Sequence, residues 1–134
     1  MGIRKRNKAN ILKEQKRKLA IAKLRNCPIS PRKMRSVADL LRGKEVGKAL
    51  NILKFNTRHA SKFLEKLLLS AISNWQSKNK DQSIESTNII INEIKVDGGR
   101  ILKRLRPAPQ GRAHRIRKRS NHVTVVLESN NEIK

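Results

Sequence analysis

Aromatic side chains are almost missing from this chain: two Phe, one Trp and no Tyr in 134 residues. Proteins that read unpaired bases usually stack them on aromatic platforms, so that mode of recognition is disfavoured. Cysteine is nearly absent as well. A single Cys27 excludes an internal disulfide and a multi-cysteine zinc site, and it fits a reducing, intracellular setting. Acids are scarce, at 10 Asp+Glu. No apolar run approaches the roughly 18 residues that span a bilayer. Met1 to Lys18 is charged without an apolar stretch, so it does not read as a secretory leader.

What the chain has instead is base. With 33 Lys+Arg its formal net charge is +23, and a compact molecule of this size repels itself at that charge. The usual counterpart is a polyanion, nucleic acid first and an anionic membrane surface second. Catalytic constellations do not assemble. His59, His114 and His122 are far apart, with no zinc spacing such as H-x-x-x-H. Cys27 has no base beside it in sequence and reads as a buried, inert thiol. Gly98-Gly99 follows a strand but opens no helix, so it is no phosphate loop. The expectation is a non-enzyme with no catalytic residue, metal, cofactor or small-molecule substrate.

Along the chain, residues 1–19 form a basic extension. Arg4, Lys5, Arg6, Lys8, Arg17 and Lys18 are among ten bases that face one acid, Glu14, up to residue 25. Alone this segment cannot bury enough apolar surface to fold; Ile11, Leu12 and Leu19 support a short helix once RNA neutralises the charge. Ala20–Ile29, which carries Lys23 and Arg25, reads as an edge strand. Ser30 as cap and Pro31 at the first position start a helix. It buries Met34, Val37, Ala38 and Leu41 and stops at Gly43. A short helix is expected over Lys44–Leu53. The longest helix, Thr57–Gln76, carries a broad apolar stripe that includes Phe63 and Trp75 as core residues. Ser77–Ser86 reads as a loop. Asn88–Val96 and Val123–Leu127 read as strands.

The expected fold is therefore α+β: three helices packed on a small antiparallel sheet, with a long extended β-hairpin and a basic N-terminal extension. The expected domains are the extension 1–19, one α+β domain 20–128 that includes the hairpin at about 98–123, and a tail 129–134. The hairpin follows from its residues. No acid occurs from Gly98 to Leu127, whereas Arg100, Lys103, Arg104, Arg106, Arg112, Arg115, Arg117, Lys118 and Arg119 do. Pro107-Ala108-Pro109-Gln110-Gly111 breaks strand pairing and makes the turn. Arms of about ten residues at 3.3 Å each project on the order of 30 Å. Such a ribbon is marginal in water and needs phosphates around it. Arginine suits them, because its planar fork gives paired donors to phosphate.

Ser30-Pro31-Arg32-Lys33-Met34-Arg35-Ser36-Val37-Ala38-Asp39-Leu40-Leu41-Arg42-Gly43-Lys44 resembles the first-helix signature of the bacterial ribosomal-protein family that is twenty-second in the large-subunit series. Lys103-Arg104, Pro107, Gly111-Arg112-Ala113, Arg115-Ile116, Lys118-Arg119 and His122-Val123-Thr124-Val125-Val126 are similar, in order and spacing, to that family's hairpin and closing strand. The resemblance spans about residues 20–128. It implies a cytoplasmic protein whose globular part sits on the outer face of the large subunit. It also implies contacts to many domains of the large ribosomal RNA and to neighbouring ribosomal proteins, and a role in assembly. The hairpin would line the nascent-peptide exit tunnel, with Leu102, Lys103, Arg104, Pro107, Ala108, Pro109, Gln110, Gly111 and Arg112 facing the tunnel and the nascent chain. Arg32, Lys33, Arg35 and His122 join the bases above as rRNA contacts. In the family, tip changes alter macrolide response and nascent-chain stalling. Here Ala108 replaces a frequent arginine and Pro109 adds a second proline, so the tip is stiffer and one charge poorer. The competing readings are a DNA-bending architectural protein with basic β-arms and a membrane-active basic peptide, the latter opposed by core-like apolar stripes.

Overall fold

The computed structural model describes residues 2–80 and 87–129, with backbone only for 16–18. The elements run α1 (Ile3–Lys18), β1 (Ala20–Cys27), α2 (Pro31–Ala38), α3 (Val46–Phe55), α4 (His59–Lys78), β2 (Ile89–Pro107) and β3 (Ala113–Ser129). The class is α+β as expected, with a fourth helix where the N-terminal extension was expected to lack structure without RNA. The reason is local. From Ile3 to Lys18 there is no Gly or Pro, and most residues are strong helix formers. The described side chains of α1 are exposed, so it owes nothing to packing on the core. The Ser77–Ser86 expectation is corrected at its start, since α4 continues through Lys78; residues 81–86, like 130–134 of the tail, lie outside the described residues.

The sheet is antiparallel in the order β1-β3-β2, which makes β1 an edge as expected. Three cross-strand rows form its inner face: Ala20–Leu127–Ile91, Ala22–Val125–Ile94 and Leu24–Val123–Val96. All but the partly buried Leu24 are buried. The inward residues of β2 are Ile89, Ile91, Ile94 and Val96, a spacing that skips once. A bulge between Ile91 and Glu93 absorbs the extra residue Asn92 and restores the inward face.

α4 packs across β1 and β3, α2 against β2, and α3 against α4. Trp75, Leu64, Leu67, Leu68 and Ala71 of α4 are buried, while Phe63 is only partly so. Burying such side chains is worth roughly 1.5–3 kcal/mol each before entropy. α2 ends earlier than expected, at Ala38, in turns that still bury Leu41. α3 starts at Val46 rather than Lys44. Here tertiary pairing wins over helix extension: the Gly43 N–H donates to Ile91 O and the Ile91 N–H to Lys44 O, both at 3.0 Å, and Glu45 bridges Ile90. Gly43 has φ +72°, the left-handed stop its type allows. Ser30 occupies the cap position of α2 without a side-chain cap hydrogen bond.

Candidate nucleic-acid interface

Beyond the core, β2 and β3 continue as a paired ribbon from Gly98 opposite Asn121 to Pro107 opposite Ala113. Apart from half-buried Gly99, Ala108 and Ser120, every residue from Gly98 to Ser120 is exposed. At its root a second bulge lies between Gly98 and Ile101. A Cβ on Gly99 would come within 2.6 Å of Ser120 Oγ and 3.1 Å of Ser120 C, so this close approach requires glycine. Ser120 Oγ donates to Arg100 O at 2.6 Å. Buried Asn121 ties the ribbon root to the β1–α2 connection, its Nδ2 donating to Ile29 O at 2.7 Å.

The outer pairs explain how a ribbon so basic holds together. Ile101 faces Arg119, Leu102 faces Lys118, Ile116 faces Arg104 and Leu105 faces Arg115. An aliphatic residue thus stands opposite a base in each of these pairs, which keeps like charges from facing each other there, although the aliphatics themselves stay exposed. Lys103 opposite Arg117 is a pair of like charges, which is unfavourable across strands. The three ion pairs among the described residues are Arg42–Asp39, Lys48–Glu45 and Lys95–Glu93, and none involves the ribbon. Its cations therefore stay uncompensated by described acids, on both faces, ready for phosphate oxygens.

At the tip, Ala108 N–H donates to Arg112 O at 2.8 Å and Pro109–Gly111 form a 3-10 turn. Gln110 and Gly111 both have positive φ, 64° and 69°. The glycine adopts this freely, whereas a non-glycine residue there costs on the order of 1–2 kcal/mol.

The structure divides the remaining sequence candidates. Arg4, Lys5, Arg6 and Lys8 are exposed on α1, and Arg17 and Lys18 lie in its last turn, their side chains outside the described residues. Lys23 and Arg25 are exposed on β1, Arg32 and Lys33 on α2. Arg35 is exposed on α2, and its Nε and Nη2 donate to Val96 O at 3.4 and 3.1 Å. His122 accepts the Asn26 N–H on Nδ1 at 3.0 Å, which holds the β1 bulge at left-handed Asn26. Both therefore brace the ribbon root. His114 faces Arg106 near the tip. Sequence reasoning missed Ser120, Asn121 and Arg58. Only the adjacent Gly98-Gly99 signalled a special backbone near the first two; Arg58 carried no signal. Cys27 is buried, and burial pushes its thiol pKa up, partly offset by a backbone hydrogen bond from Ile29. Among the described residues no group of three or more metal-ligating side chains occurs, and no helix is long and apolar enough to cross a membrane.

Comparison with known proteins places this geometry. A model of the family described as ribosomal protein L22p/L17e matches residues 22–128. Proteins described as large ribosomal subunit protein uL22 are similar over nearly the whole chain. The one from Christiangramia forsetii is 65% identical over 131 residues, 98% of this chain and 97% of that protein. That of Flavobacterium johnsoniae is 64% identical over 127 residues, 95% and 93% of the two. That of Porphyromonas gingivalis is 54% identical over 131 residues, 98% and 97%. The matched span runs from β1 through α2, where the first-helix motif lies, and through the ribbon nearly to the end of β3, and the chain belongs to the ribosomal protein L22p/L17e family.

Proposed function

We propose that this protein is a structural constituent of the cytoplasmic large ribosomal subunit, and that its ribbon is threaded through the large ribosomal RNA with its tip at the wall of the nascent-peptide tunnel. Membership of a ribosomal-protein family makes it a structural, non-enzymatic protein of translation. The observation that carries the finer reading is the ribbon: exposed, acid-free and uncompensated, yet paired to its tip. In water the ribbon is marginal. With phosphates on both faces its like charges become ligands, and affinity comes with a steep salt dependence.

In this reading Arg100, Lys103, Arg104, Arg106, Arg112, Arg115, Arg117, Lys118 and Arg119 contact rRNA along the ribbon. Arg32, Lys33, Lys23, Arg25 and the α1 bases Arg4, Lys5, Arg6, Lys8, Arg17 and Lys18 contact it around the globular part. Arg35 and His122 act at the ribbon root. Leu102–Arg112 faces the tunnel and the passing peptide, and neighbouring ribosomal proteins meet the outer surface. Residues 20–128 make one folding unit, flanked by the extension and the tail.

Sucrose-gradient fractionation of cell extract tests the assignment. The protein is expected to sediment with large subunits at moderate salt. Sedimentation apart from them would overturn it, and a stable free dimer with tight duplex-DNA binding would favour the architectural alternative.

A further inference from the structure

A cleft of about 620 Å³ opens where α2, the start of α4 and the ribbon root meet. Pro28, Ile29 and Ala60 contribute apolar lining, and Lys33, Arg58, Lys118 and Arg119 bring cations from three elements distant in sequence. No acid lines it, and none of these four takes part in an ion pair among the described residues. A fold that gathers four like charges around one concavity destabilises itself unless an anion occupies it.

Arg58 is held in place by hydrogen bonds on one side of its guanidinium. Its Nη1 donates to Ser36 Oγ at 3.1 Å and to Ser36 O at 3.4 Å, and its backbone N–H donates to Asn56 Oδ1 at 3.0 Å. Nε and Nη2 take no partner among the described residues, which leaves a planar pair of donors for a phosphate. His59 is set against Phe63 at 5.3 Å, edge to face. α2 and α4 both begin at this cleft, with neither side-chain cap nor acid in the first turn, so their dipoles add to the same positive field.

We infer that this cleft is a second phosphate-binding site, which grips the RNA backbone beside the ribbon root, with Arg58 as the new contact that joins Lys33, Lys118 and Arg119 around one phosphate group. The inference rests on the rRNA-binding reading above. RNA is favoured over a free anion because Lys118 and Arg119 belong to β3, so the cleft continues the ribbon's basic surface without a break.

The test is binding of the full chain to a transcript of large-subunit rRNA across a salt series. The double variant Arg58→Gln with Lys33→Gln should lower the slope of log affinity against log salt by about 0.7–0.9 per phosphate lost, with an unchanged circular-dichroism melt. Ser36→Ala, which frees the guanidinium but keeps its charge, should weaken binding and leave the slope as it is. A folded double variant with wild-type slope and affinity would overturn the cleft site while rRNA binding by the parent chain stood. Failure of the parent chain to bind would overturn both. If Arg58→Gln alone disturbs folding, Lys33→Gln, exposed on α2, must still lower the slope by one phosphate; an unchanged slope there also refutes the site.

Discussion

The two halves of the β2–β3 ladder share one hydrogen-bonding pattern and differ in everything around it. In the inner half, Ile91, Ile94, Val96, Val123, Val125 and Leu127 are buried beneath helices. In the outer half, Ile101, Leu102, Leu105 and Ile116 are 39–72% exposed and stand among bases. Backbone pairing alone is worth little net stability in water, because it replaces hydrogen bonds to solvent. Burial separates the halves: one has a core beneath it, and the other stands open to water with its like charges uncompensated by described acids.

The sharpest way to break this comparison is to remove the outer half. Excising residues 102–118 and joining Ile101 to Arg119 through Asn-Gly, a hairpin turn, should cost about 10³-fold in rRNA affinity. Unfolding free energy in urea should change by less than about 0.5 kcal/mol. Collapse of the fold would mean that the ribbon is core after all. The converse change, Leu68→Ala in α4, should destabilise by about 2–5 kcal/mol by the same urea measurement.

The junction is more delicate than either half. Gly99→Ala places a methyl against Ser120 and should cost about 1–3 kcal/mol. Amide hydrogen exchange should show the loss concentrated around the second bulge. Ser120→Ala in that background should return part of it, since the nearest clash is with Oγ.

Cys27 reports on the inner half. Its raised thiol pKa lowers the thiolate fraction at pH 8 relative to an unfolded chain. Because the folded state holds the proton longer, stability should fall as pH rises through the unfolded thiol's pKa. Iodoacetamide labelling in native buffer should be at least about tenfold slower than in denaturant. The smallest effect is expected at Phe55, which is 81% exposed although it belongs to α3. Phe55→Ser should move stability by no more than about 0.5 kcal/mol, as an outer-half residue would.

Much of the fold was legible from periodicity. The stripe of α4, the Ser30-Pro31 start of α2 and the left-handed Gly43 each follow from near-neighbour chemistry. So did the Pro/Gly tip between two basic strands. Two kinds of feature were not legible. One is register: the skip from Ile91 to Ile94 means a bulge only when Leu127 and Val126 are known to lie opposite. The other is the tying of polar side chains to distant backbone groups. Arg35 and His122 look like any base near a binding strand, yet each is tied to a backbone group more than sixty residues away in sequence or, for His122, ninety-six.

The sequence by itself determined the α+β class, the large excess of base, and its gathering in an acid-free hairpin with a Pro/Gly tip. Charge and apolar spacing are additive properties of neighbours along the chain, so they survive without coordinates. Tertiary structure alone decided where the ribbon leaves the sheet, through Gly99, Ser120 and Asn121. It also decided that Lys33, Arg58, Lys118 and Arg119 share a cleft. Those placements depend on long-range packing, where a difference of one residue in register turns a side chain from core to solvent.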